Sequence, residues 1–150
     1  MFRGANGVTL DTKGRVAIPA KYRKQLQDKN QNSLITTIDI EDNCLLLYPL
    51  DTWEKIESEL DSLSNLDKRV RRIQRLLIGH ATECELDTHG RIRIAPILKE
   101  YAGLDKKSML VGQGKKLELW NESTWLEKRQ EWINETLGEE LPTEMDGFSF

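Results

Sequence analysis

An aspartate and an arginine four positions apart, joined by a turn that contains glycine, are the residues of this sequence best suited to chemistry. The motif occurs twice, as Asp11, Gly14 and Arg15 and as Asp87, Gly90 and Arg91. A carboxylate in such a turn can hold a guanidinium in one orientation, which suits a phosphate or the edge of a guanine base. The alternative is ordinary turn chemistry with a modest ion pair. That alternative explains the aspartate and the glycine better than the arginine.

The motif is part of a longer internal repeat. Residues 10–18 and 86–94 are identical at six of nine positions, and later matches follow in the same order. Ordered matches at similar spacing indicate a duplicated unit, which we place at residues 5–60 and 81–137. A unit of about 55 residues buries little surface alone, so we expect the two units to pair with pseudo-twofold symmetry.

Alternating apolar residues flank the first turn, at Val8 and Leu10 before it and at Val16 and Ile18 after it. This spacing of two predicts a half-buried strand pair, a β-hairpin closed by a type I turn with glycine in the left-handed region. Pro19 then predicts the first turn of a short helix, because a proline there loses no hydrogen bond. In the second unit the proline comes one place later, which leaves the start of that helix open.

A second strand pair and a closing helix complete each unit. The strands are predicted over 34–38 and 44–48 in the first unit, and over 109–112 and 117–120 in the second. Apolar stripes that begin at Trp53 and Trp125 predict the closing helices. The predicted class is therefore α+β, rich in β structure, with packing helices.

Several cations lie beside the two turns, at positions that the alternation directs outward. The candidate contacts to an anionic polymer are Arg3, Lys13, Arg15, Lys21, Arg23, Arg91 and Arg93, with Asp11, Gly14, Asp87 and Gly90 orienting the motif. His89 and Lys99 are further neighbours in the second unit. Together they predict a two-lobed basic surface that is stronger in the first unit.

The net charge of −3 hides strong patches. Residues 1–24 carry +5, whereas residues 39–61 carry −7 and residues 121–150 carry −6. The acidic balance argues against a non-specific nucleic-acid coat, although each single run could also be a solvated face. The sequence has no long apolar run and no signal-peptide pattern, and we expect a soluble cytoplasmic protein without a membrane segment.

Enzymatic, metal and cofactor sites are not expected. His80 and Cys84 are four apart, but Gly79 interrupts a helix there and no second ligand pair exists in the sequence. The segment 112–116 lacks the spacing of a phosphate-binding loop and fits a hairpin turn. Cys44 falls on an apolar strand face, where packing is the better interpretation.

A basic helix is predicted over residues 67–78, between the two units. Val70, Ile73 and Leu77 form its apolar stripe, and Lys68, Arg72 and Arg75 lie away from that stripe. No preceding helix stands at helix-turn-helix spacing, so we favour a packing role between subunits or domains. Direct contact with DNA stays open as the second interpretation.

The duplicated motif, together with the segments 2–4, 15–23 and 71–79, resembles the MraZ family of bacterial regulators. The family's motif residues correspond to Asp11, Arg15, Asp87 and Arg91. The resemblance implies two tandem half-units similar to the swapped-hairpin β-barrels of AbrB-like transcription factors. It also implies a nucleoid-associated regulator, expected to be a repressor, that binds tandem promoter repeats in double-stranded DNA upstream of its own division and cell-wall gene cluster. The family further implies a homo-oligomer, expected as a ring.

Two other functions stay open from the sequence. An antitoxin-like interaction module would use the acidic tail, residues 138–150, to occupy a toxin. A ring-forming scaffold would use the basic helix of the 61–80 linker to recruit a protein and would not bind DNA. The tail is expected to be loosely ordered, with Leu141, Met145, Phe148 and Phe150 available to dock on a neighbour.

Overall fold

A computed structural model describes residues 1–29 and 32–150 of the chain. The described part holds eight strands, which come in consecutive pairs that are each followed by a helix, with α3 as an additional helix between the two repeat units. The strands are β1 (Ala5–Thr9), β2 (Arg15–Ala17), β3 (Ser33–Ile38), β4 (Leu45–Pro49), β5 (Thr82–Glu85), β6 (Arg91–Arg93), β7 (Lys107–Gln113) and β8 (Lys116–Asn121). The helices are α1 (Ala20–Asp28), α2 (Leu50–Ser62), α3 (Lys68–Leu77), α4 (Pro96–Tyr101) and α5 (Glu122–Thr136).

The fold is a mixed α+β structure whose sheets are antiparallel throughout the described strands. Six strands form one sheet in the order β1-β7-β8-β4-β3-β5, and β2 and β6 form a separate two-stranded ribbon. Exchanging the two repeat units reverses the order of the six strands and leaves it otherwise unchanged. The expected pseudo-twofold relation therefore passes between β4 and β8 and between β2 and β6.

The predicted first hairpin of each unit is wrong. β1 pairs with β7 and β2 pairs with β6, and the first turn itself is closed by an isolated bridge between Leu10 and Val16 and by the hydrogen bond from Asp11 N–H to the carbonyl oxygen of Arg15. The backbone groups of each strand are satisfied by the other repeat unit, more than 70 positions away. An alternating pattern identifies the buried face of a strand but not its partner, which is why the sequence suggested a local pair.

The later hairpins form as predicted, with β3 beside β4 and β7 beside β8. Pro19 precedes α1 as its N-cap residue, whereas Pro96 is the first residue of α4. Because Ala20 and Pro96 are equivalent positions in the repeat, both short helices begin at the same point. The displaced proline does not shift the second helix.

The main core combines both units, with Val16, Tyr22, Ile92, Leu98 and Leu110 among its fully buried members. Val16 and Ile92 lie opposite each other in the ribbon, which fixes the inner face of both strands. The residues on either side of Val16 and Ile92 therefore lie on the outer face of the ribbon.

The closing helices are attached by tryptophans and are less buried than the sequence indicated. Trp53 is buried against Tyr48, and Trp125 packs on Trp120. In α5 Trp132 also packs on Trp120 and Trp125, but other members of the predicted stripe are exposed, Leu126 at 53% and Leu137 at 74%. Of the described helices, none has both the length and the apolar character needed to cross a membrane.

The basic helix α3 packs against helix α2 and the sheet of its own chain. Gln74 Nε2 donates to the carbonyl oxygen of Leu60 at 2.7 Å, and Thr37 Oγ1 donates to that of Leu77 at 2.7 Å. Asp67 caps the helix by accepting the backbone N–H of Arg69 at 2.8 Å. These contacts hold α3 between α2 and the sheet.

Candidate nucleic-acid interface

The first loop is a tight turn organised by one carboxylate. The backbone N–H of Gly14 donates to the carbonyl oxygen of Asp11 at 3.0 Å, and Gly14 has a φ of 77°. Asp11 Oδ1 accepts the backbone N–H groups of Lys13 at 2.9 Å and Arg15 at 2.8 Å. Asp11 Oδ2 accepts Arg15 Nε at 2.8 Å, which aligns the guanidinium with the turn.

The second loop repeats this arrangement almost atom for atom. Gly90 has a φ of 73°, and Asp87 Oδ1 accepts the N–H groups of His89 at 2.8 Å and Arg91 at 2.9 Å. Arg91 Nε donates to Asp87 Oδ2 at 2.9 Å. Positive φ favours glycine at the fourth position, because a Cβ there would crowd the backbone.

Hydrogen bonding keeps both aspartates ionised. The backbone N–H of Arg15 is the main cause that lowers the pKa of Asp11, with the guanidinium adding to it. The backbone N–H of Arg91 likewise lowers the pKa of Asp87 from 3.8 to about 2. Near neutral pH each loop therefore holds a carboxylate that attracts and aligns its arginine.

The ribbon of β2 and β6 brings three arginines together on one outer face. Arg15 lies directly opposite Arg93, and Ala17 lies directly opposite Arg91. Since Val16 and Ile92 are buried, their neighbours in each strand point the other way. Like charges directly opposite each other destabilise a strand pair, so this grouping is an electrostatic cost that a bound anion would relieve.

The ion pairs leave part of each guanidinium available. Arg15 and Arg91 engage their aspartates through Nε, and within residues 1–29 and 32–150 their terminal Nη groups donate no hydrogen bond. Their side chains are 30% and 29% exposed. Each arginine is therefore held at one nitrogen, and its two Nη groups remain without a partner among the described residues.

A cation from each unit lies beside the loop of the other unit. Arg23 borders a hollow of about 270 Å³ together with Asp87, Thr88 and Gly90. A Cβ at Gly90 would come within 2.4 Å of Arg23 Cδ, so this side chain lies directly over the second loop. Lys99, the equivalent residue of the second unit, borders a larger hollow of about 420 Å³ with residues 9–12.

Two candidate residues lie apart from this cluster. Arg3 precedes β1, at the end of the strand farthest from the first loop, and its carbonyl oxygen accepts Tyr22 Oη at 2.7 Å. Lys21 Nζ lies 4.9 Å from the centre of the Tyr22 ring and is adjacent to Gly4. Among the candidates, Lys13, Arg15, Arg23, Arg91 and Arg93 are therefore associated with the loops, whereas Arg3 and Lys21 flank Tyr22.

The described residues contain one group of side chains of metal-ligand type, and it is not the pair noted in the sequence. Ligand atoms of Asp39, Cys44 and Glu118 lie within 4.8 Å of one another. Burial raises the pKa of Cys44, and its Sγ donates to Asp39 Oδ2 at 3.7 Å. Cys44 therefore remains a protonated thiol that donates to Asp39, which does not suit a metal ligand. Cys84 is buried, and its burial raises its pKa as well.

Comparison with known proteins follows the same duplication as the fold. A family model described as "MraZ protein, putative antitoxin-like" matches residues 1–76 and again residues 77–145. The chain belongs to the MraZ family. Proteins called "Transcriptional regulator MraZ" are similar over most of their length. The one from Thioalkalivibrio sulfidiphilus is 56% identical, covering 90% of this chain and 89% of its own. Those from Coxiella burnetii and Haemophilus influenzae are 52% identical over 99% of both chains and 55% identical over 83% of both.

In this MraZ chain, the sequence indicates the candidate residues but not which of them lie next to each other in space. Arg93 was a candidate, but nothing local indicated that it lies opposite Arg15. Nor does the sequence indicate that Arg23 of the first unit lies beside the loop of the second unit. The one available signal was the duplication itself, since a twofold relation requires equivalent strands to meet near its axis.

Proposed function

We propose that this chain is a transcriptional regulator that binds specific sites in double-stranded DNA. The observation that carries the proposal is the group of Arg15, Arg91 and Arg93 on the outer face of one two-stranded ribbon. The major groove of B-DNA admits a two-stranded ribbon, and arginine is the usual partner of guanine there. The names of the MraZ relatives support a regulatory role.

Different residues would serve affinity and specificity. Arg15 and Arg91, oriented by Asp11 and Asp87, would read base edges or clamp phosphates, and Arg93 would act beside them. Lys13, Lys21, Arg23 and Arg3 would mainly neutralise phosphates, which positions the protein without reading sequence. The net charge of −3 would limit non-specific binding, because the acidic segments 39–61 and 121–150 repel DNA from other parts of the chain.

We propose that the protein binds tandem DNA repeats as a homo-oligomer. One chain offers few phosphate contacts, so several subunits on repeated sites would supply the affinity. Following the family resemblance, we propose a ring that represses its own division and cell-wall gene cluster and is associated with the nucleoid in the cytoplasm. The same resemblance interprets the pairing of strands across repeats as swapped-hairpin barrels, with half-units 5–60 and 81–137, a linker 61–80 and a tail 138–150.

Binding to the DNA upstream of the chain's own gene tests this function. Arg15→Ala should weaken specific binding about 10- to 100-fold, the equivalent of 1–3 kcal/mol for a bidentate base contact. Footprinting locates the site and a mobility shift gives the affinity. Lys24→Ala is the matched control, since it removes an exposed charge outside the candidate set. Undiminished binding by a folded Arg15→Ala protein would remove Arg15 from the site.

An antitoxin-like interaction module is the second candidate, because the matching family model carries that description. In that case a separate toxin would co-purify with the chain through residues 139–150. The DNA experiment separates the two functions, since a toxin-binding tail does not depend on Arg15.

A further inference from the structure

A groove with a basic rim lies away from the arginine ribbon, and we call it the lysine groove. It consists of two adjoining hollows of about 240 and 550 Å³, which share Met1, Thr52, Gly114 and Lys115 as walls. Its apolar lining includes Phe2, Tyr48 and Ile56. The groove thus runs between the β7–β8 turn, the N-terminus of the chain and helix α2.

Among the residues that line the groove, lysines outnumber acids. Four lysines border the groove, namely Lys29, Lys55, Lys115 and Lys116, against two acids, Asp28 and Glu59. Within residues 1–29 and 32–150 none of these lysines forms an ion pair. Lys116 Nζ instead lies 6.0 Å from the centre of the Tyr48 ring. An anionic group with apolar neighbours matches such a surface.

Gln25, a wall residue of the groove, has a buried polar atom without a partner among the described residues. Gln25 Nε2 donates to the carbonyl oxygen of Met1 at 3.3 Å, but the buried Gln25 Oε1 accepts no hydrogen bond from the described residues. Leaving a buried acceptor unpaired costs about 1–3 kcal/mol. Because Oε1 is shielded from solvent, a bound peptide would reach it only if the Gln25 side chain turned towards the groove.

The tail of the same chain has the complementary chemistry. Residues 139–150 contain four acids and no base, and their apolar side chains are exposed, Phe148 at 62% and Phe150 at 93%. The two rings stack with centroids 6.2 Å apart. The hydrogen bonds described for this segment are local ones, such as Phe148 N–H to the carbonyl oxygen of Met145 at 3.0 Å.

We propose that the lysine groove binds residues 139–150 of a second copy of this chain. The acids of the tail would face the lysines, and an aromatic ring would enter the lining beside Tyr48 and Ile56. This contact is heterologous, because groove and tail are different surfaces, so each copy can bind one neighbour and be bound by another. The inference rests on the proposed oligomer and adds the segment that joins its subunits.

A labelled peptide with the sequence of residues 139–150 tests the site directly. The titrated protein is the full chain carrying Phe148→Ala and Phe150→Ala, so that its own tail competes weakly. We expect saturable binding by fluorescence anisotropy, and at least a tenfold loss when Lys115→Glu and Lys116→Glu are added. Lys106→Glu with Lys107→Glu is the matched control, a lysine pair at the other end of the same hairpin, and should bind as before. Absence of saturable binding, or equal binding by both lysine variants, would overturn the proposal.

The assembly itself gives the second measurement. By light scattering, the Phe148→Ala, Phe150→Ala chain should lose mass relative to the natural chain, as should Lys115→Glu, Lys116→Glu. Mixing the latter with a Glu144→Lys, Asp146→Lys chain creates one contact with both charges reversed and should restore part of the mass. Unchanged mass in both variants, despite peptide binding, would mean that the tail occupies its own groove and would overturn the second-copy assignment.

Failure of this inference is distinguishable from failure of the proposed function. If the natural chain is oligomeric and binds its promoter DNA but the peptide does not bind, only the tail contact is wrong. If the peptide binds the groove and Arg15→Ala leaves DNA binding unchanged, the assignment of the DNA site is wrong and the tail contact remains.

Discussion

The two Asp-Gly-Arg loops agree closely in their backbone and differ in the residues around them. The Asp–Arg contacts are 2.8 and 2.9 Å, and both glycines have φ near 75°. In contrast, Lys13 is matched by His89, and Ala17 is matched by Arg93. The duplication has kept what orients the arginine and has changed what surrounds it. We therefore expect the two loops to orient their arginines equally well, and the residues around the loops to contribute unequally to binding.

The largest effect is expected from removing the second arginine. Arg91→Ala should weaken specific DNA binding about 10- to 100-fold, to within a few-fold of the effect of Arg15→Ala, because both arginines are presented by the same geometry. Mobility shifts with both single variants and the double variant measure this. A variant of either arginine that binds like the natural chain would show that only one loop reads DNA.

The next largest effect is expected from substituting the two loop glycines, which should lower stability in both loops and affect DNA binding differently in each. Gly14→Ala and Gly90→Ala should each cost about 1–2 kcal/mol of unfolding free energy, since alanine disfavours positive φ. A Cβ at Gly14 would lie 3.3 Å from the carbonyl oxygen of Ile94, whereas one at Gly90 would displace Arg23. Gly90→Ala should therefore also weaken DNA binding.

Thermal unfolding measures this cost, with an expected shift of about 2–4 °C for each kcal/mol. Gly103→Ala is the control for positive φ alone, since Gly103 has a φ of 56°, lies outside both loops and would have nothing within 4 Å of its added Cβ; it should cost similar stability and leave DNA binding unchanged. Equal DNA binding by the Gly14→Ala and Gly90→Ala proteins would contradict a role of Arg23 at the second loop.

Restoring symmetry to the ribbon should have a smaller effect. Ala17→Arg would place an arginine opposite Arg91, just as Arg93 lies opposite Arg15. We expect binding to strengthen about three- to tenfold at low salt, and the salt dependence to steepen by about one phosphate contact. Arg93→Ala should change both quantities in the opposite direction. Affinities measured over a salt series test this, and an unchanged salt slope in both variants would place this face away from DNA.

The smallest effect is a change in acid titration at one loop. The folded-state pKa of Asp87 is about 2, below its ordinary value of 3.8, so its stabilising contribution is complete above pH 4 and is lost as the pH falls towards 2. Arg91→Ala should raise the pKa of Asp87 only in part, because the backbone N–H of residue 91 remains its main partner.

Carboxyl resonances followed by NMR between pH 5 and pH 1.5 measure this change, with Asp11 as the internal control. A parallel rise in the pKa of Asp11 would mean that the two loops are coupled through the ribbon, contrary to their description as separate supports.

Local features of this protein were predictable because their causes lie within a few residues. The turn at Gly14 follows from residues 11–15, which contain both the accepting carboxylate and the N–H groups that it binds. The basic helix was predicted over 67–78 and observed as α3, Lys68–Leu77, since its cap and apolar spacing are local. The stripe of α5 was predicted less well, because spacing alone does not tell whether anything covers an apolar residue such as Leu126.

The sequence by itself determined the duplication, the strand faces, the two supporting loops and the family. Only the tertiary structure decided which strands pair, and with that which charges meet. Arg15 and Arg93 become neighbours because β2 completes its hydrogen bonds with β6 and not with β1. Arg23 reaches the second loop, and not its own, for the same reason. Backbone donors and acceptors are alike along the chain, so long-range pairing is selected by the packing of the whole core, which no local pattern contains.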